Sequence, residues 1–360
     1  MKVLWRQPLT TRGLGGVAAT QQYVIVGDRA LNDTADVYRC FDARTGEELW
    51  SVRTLALGQL DYGNSSRATP LIHGGRVYLF GAFGDLVCAD LATGDVQWRV
   101  NVRDDYEVTE PLPWGFCGSP LIDEERLILS PGGEFGSIIA LNPIDGEEVW
   151  ATTGQPPGYG SFIVADIGGA RQIIGHDAVS LGGWDPKSGE RLWTLTPPQP
   201  NDFNVPTPIV DRDTLIVATE NNGTRLYRFN DDGRIDPAPE ATFAELVPDT
   251  QTPIVVGRRL FGASGALYCL DLDNGLQPIW IGKDEALHQH ASLIAAENRL
   301  LAWTETGELL LIDATADEFT VLDRRTLFPG ENGLLSHPAI VGHTLYIRGT
   351  NEIQALSLEP

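Results

Sequence analysis

A ten-residue phrase that recurs along the chain constrains the fold more than any other feature of the sequence. Its first copy, residues 41–50, indicates a strand end, a tight turn at Thr45 and Gly46, and a new strand that carries Trp50. Further copies stand at residues 89–98, 141–150 and 184–193, and looser ones at 229–233, 270–280 and 312–316. Strands that repeat at a fixed period of this length predict a β-propeller.

Each repeat predicts four short antiparallel strands. A small or hydroxyl residue, often followed by proline, leads into an apolar strand, and a second apolar strand follows after a short turn. A glycine-rich turn precedes the third strand, and the tryptophan strand is the fourth. Counting from Val17 to the last repeat near Ser336 gives eight blades. The predicted fold class is all-β, an eight-bladed β-propeller of four-stranded antiparallel blades.

The two ends of the chain are predicted to complete one blade. The last repeat has three strands and lacks the tryptophan strand, which residues 1–10 supply, with Trp5 in the place of Trp50. Pairing of the first strand with the last blade removes free sheet edges. We therefore expect residues 1–360 to form a single domain whose eighth blade is completed by residues 1–10.

The repeated tryptophans are predicted to dock neighbouring blades. An indole covers a large apolar area while its N–H donates to a backbone carbonyl, and the outermost strand is a poor place for a ligand. The aspartate and glycine of the phrase serve the turn itself. Blades 5 and 7 lack the tryptophan. The predicted docking residues are Trp5, Trp50, Trp98, Trp150, Trp193 and Trp280.

The charge of the chain excludes some classes of partner. With 26 basic and 49 acidic residues the net charge is −23, which argues against nucleic acid and against anionic lipid surfaces. No apolar run approaches the length of a membrane span, so we expect no membrane insertion, and we expect a monomer. The first residues, Met1 to Trp5, contain no signal peptide, so the protein is cytoplasmic or a signal peptide has been removed.

The tryptophan phrases resemble the PQQ-like repeat, found in the propellers named after pyrroloquinoline quinone (PQQ) dehydrogenases. The resemblance covers essentially the whole chain and implies a bacterial protein, periplasmic or extracellular if a signal peptide has been removed. The family includes PQQ-dependent dehydrogenases and also non-catalytic members, such as the propeller lipoprotein of the outer-membrane β-barrel assembly machinery. Both classes of function follow from the resemblance.

The cysteines bear on the cofactor that the resemblance implies. Quinone dehydrogenases commonly use an adjacent-cysteine disulfide, with calcium held by acidic and amide side chains. Here Cys40, Cys88 and Cys269 occupy equivalent positions in different repeats, and Cys117 stands apart from them. Such cysteines are predicted to be buried apolar residues that do not bridge. We expect no cofactor, with PQQ and calcium as the disfavoured alternative.

The loops that do not repeat are the predicted place of function. In a propeller, the loops between blades and those between second and third strands share one face, at the mouth of the central funnel. Aromatic walls with a few convergent polar groups are typical of a ligand site. The candidate ligand-binding residues are Tyr62, Arg67, Trp114, Phe116, Tyr159, Asn204, His288, His290, Glu331, Asn332 and His337, and Phe203 adds a further aromatic side chain.

Two of these loops raise the question of a metal. His288 and His290, alternating on an extended segment, would point to one side and with His337 or Glu331 could bind a metal or supply a general base. The alternative is that they bond the backbone at a strand start. The acidic stretch at residues 28–36 could hold calcium, but its spacing matches no EF-hand and a solvated hairpin is expected.

Two functions from different classes therefore stand side by side. The first is a non-catalytic propeller that binds a protein partner or a small ligand through its funnel face. The alternative is an enzyme that uses the funnel, either a PQQ-dependent oxidoreductase or a histidine-based hydrolase or lyase. The fold alone does not choose between them.

Overall fold

The chain consists almost wholly of β-strands. The structure, a computed structural model, describes residues 1–359. Within them the only helices are α1 (Val102–Asp105) and one 3-10 helix (Glu285–Leu287), and neither is long and apolar enough to cross a membrane. The chain divides into two compact units. The first unit is Met1–Pro156 with the chain from Leu334 onward, and the second unit is Pro157–Gly333.

The strands are short, as the repeat predicts. Those up to Pro156 are β1 (Lys2–Pro8), β2 (Ala18–Ala19), β3 (Tyr23–Arg29), β4 (Ala35–Asp42), β5 (Glu48–Leu55), β6 (Leu71–His73), β7 (Arg76–Phe80), β8 (Asp85–Asp90), β9 (Val96–Asn101), β10 (Leu121–Asp123), β11 (Arg126–Leu129), β12 (Ile139–Leu141) and β13 (Glu148–Ala151).

The remaining strands continue the same pattern. They are β14 (Ile163–Ile167), β15 (Ala170–His176), β16 (Leu181–Trp184), β17 (Arg191–Leu195), β18 (Ile209–Asp211), β19 (Thr214–Thr219), β20 (Gly223–Arg228), β21 (Ala241–Phe243), β22 (Ile254–Val256), β23 (Arg259–Ala263), β24 (Leu267–Asp271), β25 (Gln277–Gly282), β26 (Ala291–Ala296), β27 (Arg299–Thr304), β28 (Glu308–Asp313), β29 (Val321–Thr326), β30 (Ala339–Val341), β31 (Thr344–Arg348) and β32 (Glu352–Ser357).

These strands form eight four-stranded antiparallel sheets within residues 1–359. Blades 1 to 7 each take four consecutive strands, starting with β2 to β5, and blade 8 has the order β1-β32-β31-β30. Blades 8, 1, 2 and 3 lie in the first unit, and blades 4 to 7 in the second. The predicted fold class, an all-β, eight-bladed β-propeller, is confirmed.

The first strand completes the last blade, as the sequence predicts. In the β1–β32 pair, Trp5 lies opposite Ala355 and Arg6 opposite Gln354. A buried arginine holds the chain that follows β1. The Arg348 guanidinium donates to the carbonyls of Gly27 at 2.5 Å and Thr11 at 2.7 Å. Blade 8, blade 1 and the N-terminal segment are thereby joined by backbone pairing and by one buried side chain.

In the first unit, three tryptophans of the phrase dock on the turn of the next blade. Trp5 Nε1 donates to Ala43 O and Trp50 Nε1 to Leu91 O, both at 2.9 Å, and Trp98 Nε1 donates to Pro143 O at 3.2 Å. The indole covers the turn glycine, so a Cβ on Gly94 would lie 2.7 Å from Trp50 Cγ. The phrase therefore supplies both halves of a blade seam, the ring and the glycine that receives it.

Blades 4 and 5 show two departures from this contact. Trp193 Nε1 donates to Gln172 Oε1 at 2.8 Å, and Gln172 Nε2 donates in turn to Gly233 O at 2.8 Å, so a glutamine relays the bond. Blade 5 has no tryptophan, and Phe243 of β21 contacts Tyr268 of blade 6 edge-on, with ring centroids 5.8 Å apart. A smaller aromatic side chain thus fills the seam between blades 5 and 6.

The aspartate of the phrase closes the turn between third and fourth strands. Asp42 Oδ1 accepts from the backbone N–H groups of Arg44 at 3.0 Å and Thr45 at 2.7 Å. The bond from the Thr45 N–H lowers the pKa of Asp42, because it favours the ionised carboxylate. We refer to these turns as Asp turns, and they serve the structure of the blade.

Alanine at Gly94 should destabilise the protein more than alanine at a glycine that contacts no ring. Gly74 and Gly94 both have positive φ, +57° and +76°, but a Cβ on Gly74 would meet nothing within 4 Å. We expect Gly74→Ala to lower the free energy of unfolding by about 1 kcal/mol and Gly94→Ala by about 3 kcal/mol. Urea denaturation measures both, and equal losses would contradict the docking role of Gly94.

Candidate functional site

The candidate residues lie on loops between blades. Because successive strands alternate in direction, the inter-blade loops and the hairpin loops between second and third strands leave each sheet at the same end, opposite the Asp turns. We refer to this end as the loop face. The first unit carries Tyr62, Arg67, Trp114, Phe116 and His337, and the second carries Tyr159, Asn204, His288, His290, Glu331 and Asn332.

The loop before blade 2 is fastened to the hairpin loop of blade 1. Asn64 Nδ2 donates to Asp33 Oδ2 at 2.7 Å, and the Ala56 N–H donates to Thr34 O at 2.9 Å. Arg67 folds back onto its own loop, donating to Asp61 O at 2.8 Å and Gly63 O at 2.7 Å and also bonding Ser65 O. The predicted inward-pointing guanidinium thus holds the loop in shape.

These two loops of the first unit present apolar side chains to solvent. Their exposed fractions are 90% for Leu31, 69% for Leu55, 62% for Leu57 and 73% for Tyr62. Tyr62 also has a positive φ of 64°, which few non-glycine residues adopt. We refer to Leu31, Leu55, Leu57 and Tyr62 as the apolar loop group. Exposed apolar side chains held on fixed loops are typical of an interaction surface.

One predicted rim residue belongs to the core instead. Phe116 is only 3% exposed and contacts Phe80, with ring centroids 5.5 Å apart, and the Arg103 guanidinium lies 5.2 Å from its ring centre. The prediction of a surface role for Phe116 is therefore wrong, because its loop turns the ring into the seam between blades 2 and 3. Trp114, on the same loop, is half-buried.

The acidic hairpin of blade 1 is buried at its base and exposed at its tip, residues 31–33. Arg29, 2% exposed, donates to Asp33 Oδ1 at 2.7 Å and to Asp36 Oδ1 at 2.9 Å, while Asp28 accepts from the N–H of Thr10 at 3.0 Å. Burial raises the pKa of Asp36 to about 6, against the opposing effect of Arg29. The expectation of a solvated hairpin therefore holds for the tip, whereas the carboxylates of Asp28 and Asp36 at the base are buried and bonded within the protein.

The histidines of the second unit do not alternate on an extended segment. His288 has φ −67° and ψ −29° at the end of the 3-10 helix, so its backbone is helical. His290 Nδ1 lies 3.0 Å from Thr250 Oγ1, and its Nε2 lies 3.3 Å from Ser292 Oγ. The prediction that both rings point to one side of an extended segment is wrong, because the backbone at His288 is helical.

His288 borders a pocket on the loop face of the second unit. The pocket has a volume of about 400 Å³ and is lined by Gly265, Lys283, Asp284, Glu285 and His288. Asp284 is paired with the guanidinium of Arg324, so part of its charge is neutralised within the second unit. The remaining lining groups are of both signs, which suits a small polar ligand or a peptide side chain.

The remaining histidine candidate lies in the first unit. His337 is exposed, its Nδ1 lies 2.9 Å from Pro338 O, and its own carbonyl accepts from the Val17 N–H at 2.9 Å. Across residues 1–359, no three histidine, cysteine, aspartate or glutamate residues come together in a way that could hold a metal ion. The backbone contact at a strand start is the arrangement seen for His337.

The loop before blade 5 is held by a dense set of hydrogen bonds. Asp202 Oδ1 accepts from the Asn221 N–H at 2.8 Å, and Asn222 Nδ2 donates to Gln199 O at 2.8 Å. Asn204, at the end of this loop, is 2% exposed and its Nδ2 donates to Asp177 O at 3.0 Å. The amide of Asn204 therefore points into the protein, toward the hairpin loop of blade 4.

Sequence reasoning missed two buried residues beside Asn204. His176 ends β15 next to Asp177, and Arg225 lies near the start of β20, each 4% exposed. Burial and the charge of Arg225 lower the pKa of His176 to about 3. Both strands carry other polar residues as well, so nothing in the sequence singles out His176 or Arg225. The structure thus adds a buried polar group to the predicted loops.

A family comparison covers nearly the whole chain. The model of the family described as "Outer membrane protein assembly factor BamB" matches residues 33–282 and 134–359. Among solved structures, BamB from Moraxella catarrhalis has a TM-score of 0.65 at 14% identity, covering 98% of this chain and 96% of that one. At that identity the likeness concerns the fold. The matches confirm the resemblance that the tryptophan repeats carry.

Two relatives represent both branches of that resemblance. The outer membrane protein assembly factor BamB of Kangiella koreensis is 32% identical over 149 residues, which cover 41% of this chain and 34% of that protein. The 1-butanol dehydrogenase (quinone) of Thauera butanivorans is 28% identical over 250 residues, which cover 62% of this chain and 34% of that protein. The chain thus spans about a third of the length of each.

Acid should destabilise the protein through His176. Its pKa falls from 6.5 to about 3 on folding, so the unfolded chain takes up the proton first. Stability present above pH 6.5 is lost as the pH falls toward 3, by about 1.4 kcal/mol per pH unit. His176→Gln removes this contribution, so its urea midpoint should decline less between about pH 7 and pH 5 than that of the wild type. Parallel declines would show that His176 does not carry the effect.

Proposed function

We propose that this chain, which belongs to the family described as outer membrane protein assembly factor BamB, is a non-catalytic propeller that binds a protein partner through its loop face. The observation that carries the proposal is the apolar loop group of the first unit. Its four side chains are between 62% and 90% exposed. Isolated exposed apolar side chains are common on monomers, but three leucines and a tyrosine on two joined loops and the strand end that leads into one of them favour a protein contact.

The loops that carry this group are ordered before any partner arrives. Asn64 joins the two loops, Arg67 closes the second on itself, and the Arg29 guanidinium donates to Ala56 O at 2.7 Å beneath them. A surface held in this way loses little conformational entropy on binding. Tyrosine and leucine side chains on a rigid frame supply apolar contact area at low entropic cost.

The partner class follows from the family and from the charge. We infer a protein of outer-membrane protein assembly as the partner, and a periplasmic location for this chain. The net charge of −23 disfavours nucleic acid and favours a partner whose contact surface is apolar at its centre and basic at its rim. The carboxylate of Asp61 borders Tyr62 and is available to such a rim.

A second candidate function is that of a quinone-dependent oxidoreductase, which the similarity to a quinone dehydrogenase favours. The residues do not fit the cofactor arrangement that the resemblance implies. All four cysteines are free, and Cys40, Cys88 and Cys269 are buried in blade seams. No group of acidic or histidine ligands for a metal is assembled in the described chain, residues 1–359. These residues therefore give no support to quinone chemistry in this chain.

A charge in the apolar loop group should weaken partner binding, whereas the same change on an Asp turn should not. Leu57 and Ile144 are each 62% exposed in the first unit, but Ile144 lies on the Asp turn of blade 3. We expect Leu57→Asp to raise the Kd at least about 10-fold, because an apolar contact is lost and a charge is desolvated. The Kd is measured by biolayer interferometry against the β-barrel assembly protein of the same genome.

Ile144→Asp is the matched control for that measurement and should leave the Kd within about 2-fold of the wild-type value. Tyr62→Ala gives a second test, since it removes apolar area without adding a charge. If the wild type does not bind the assembly protein, the proposed partner is wrong. If both aspartate variants bind as well as the wild type, the apolar loop group is not the contact.

Addition of PQQ and calcium should leave the protein unchanged. We expect no new absorbance and no rise in melting temperature at micromolar PQQ, because the chain has no adjacent cysteines and its described residues include no cluster of three acidic, cysteine or histidine side chains for a metal. A specific ligand at 100 times its Kd would stabilise the fold by about 2.7 kcal/mol, which a thermal melt detects readily. Saturable stabilisation by PQQ would reverse the assignment in favour of the oxidoreductase.

A further inference from the structure

Arg225 is a buried cation that has no acidic partner. Its Nη2 donates to Thr219 Oγ1 at 2.9 Å, and its Nη1 lies 3.4 Å from the Tyr227 hydroxyl. Within residues 1–359 it makes no ion pair, unlike Arg29, which is also buried but pairs with two aspartates. A buried charge without a counter-ion is costly, and an anionic ligand would supply the opposite charge.

Three buried polar atoms around this arginine lack hydrogen-bond partners in the described chain. They are Nε of Arg225, Nε2 of His176 and Oδ1 of Asn204. Asn204 is bonded to the carbonyl of Asp177, the residue after His176. His176 lies two residues after Ile174 and Arg225 two residues before Tyr227. Because alternate residues of a strand share a face, and Ile174 and Tyr227 belong to one buried cluster, both polar side chains lie on the side of the seam between blades 4 and 5. One donor, one acceptor and one neutral imidazole are thus gathered at the loop-face end of blades 4 and 5.

The neighbouring carboxylate does not neutralise Arg225. Asp177 Oδ2 is paired with Arg191 Nη1 at 2.8 Å, and its Oδ1 accepts from the N–H groups of Val179 and Ser180 at 2.9 and 2.7 Å. His176 stays uncharged at neutral pH, because its pKa is lowered to about 3. Arg225 therefore remains the uncompensated positive charge of this group.

The group is held in a fixed arrangement by its surroundings. A Cβ on Gly158 would lie 3.0 Å from His176 O and 3.2 Å from His176 Cβ, so the loop before blade 4 packs directly on the histidine. The loop that ends at Asn204 is fastened through Asp202 to Asn221. A site whose polar groups are positioned before binding loses little entropy when a ligand arrives.

We propose that Arg225, His176 and Asn204 form a binding site for a small carboxylate that also carries a hydroxyl group. The planar guanidinium matches the two oxygens of a carboxylate. The hydroxyl group of the ligand donates to Asn204 Oδ1. His176 Nε2 bonds the ligand oxygen that is left, as donor or as acceptor according to the tautomer of the ring. This site lies in the second unit and does not depend on protein binding by the apolar loop group of the first.

The test compares sodium glycolate with sodium acetate and sodium chloride at equal concentrations. We expect glycolate to raise the melting temperature of the dialysed wild type saturably, by roughly 2–5 °C, with a smaller rise in acetate and none in chloride. In Arg225→Met the response to glycolate should be lost. Without any ligand this variant should melt no lower than the wild type, because it removes an uncompensated buried charge.

Arg348 supplies the matched control, since it is also a buried arginine without an ion pair among the described residues and bonds backbone carbonyls of the first unit. Arg348→Lys should melt lower but keep the full glycolate response. Should Arg225→Met fail to fold, Arg225→Lys keeps the charge and should weaken glycolate binding at least about 10-fold by calorimetry. A wild type that does not respond to glycolate, or that responds equally to chloride, would overturn the proposal.

Discussion

Docking of a fourth-strand tryptophan on the glycine of the next Asp turn is the repeated contact that joins successive blades of the first unit. The same glycine must adopt a positive φ and must lack a Cβ where the indole lies, as Gly94 does beneath Trp50. The indole N–H then satisfies a carbonyl of that turn. The tryptophan, the glycine and the aspartate all belong to one phrase. Each further copy of the phrase can therefore form the same contact between neighbouring blades.

This arrangement allows the loops of the loop face to differ from blade to blade. The tryptophan contacts use the outer strands and the Asp turns, so they leave the opposite end of each sheet to the loops that do not repeat. In the first unit they expose the apolar loop group, and in the second they bury the polar group of Arg225, His176 and Asn204. The buried charges differ in kind, because Arg29 has aspartate partners within the chain whereas Arg225 has none. Ion pairs within the chain compensate the charge of Arg29, and in our proposal a bound carboxylate compensates that of Arg225.

The candidate site was predictable in outline and not in detail. The inter-blade loops were identified from the repeat, because segments that do not repeat must lie between the copies of the phrase. The directions of the side chains were not, since Phe116 turns into a seam and Arg67 bonds its own loop. His288 and His290 are two residues apart, but a 3-10 helix ends at the first, so the spacing does not place the rings together. His176 and Arg225 looked like ordinary strand residues, because only tertiary packing shows that they are buried and face each other.

By itself the sequence determined the number of blades, the order of strands within each blade and the pairing of residues 1–10 with the last blade. These properties follow from local turn chemistry and from a fixed period, and both can be recognised from the order of residues along the chain. Only the tertiary structure decided which polar groups are buried without partners and which apolar groups are exposed. Burial and electrostatic compensation are sums over residues far apart in the chain, such as Asn204, His176 and Arg225, and no local pattern contains those sums.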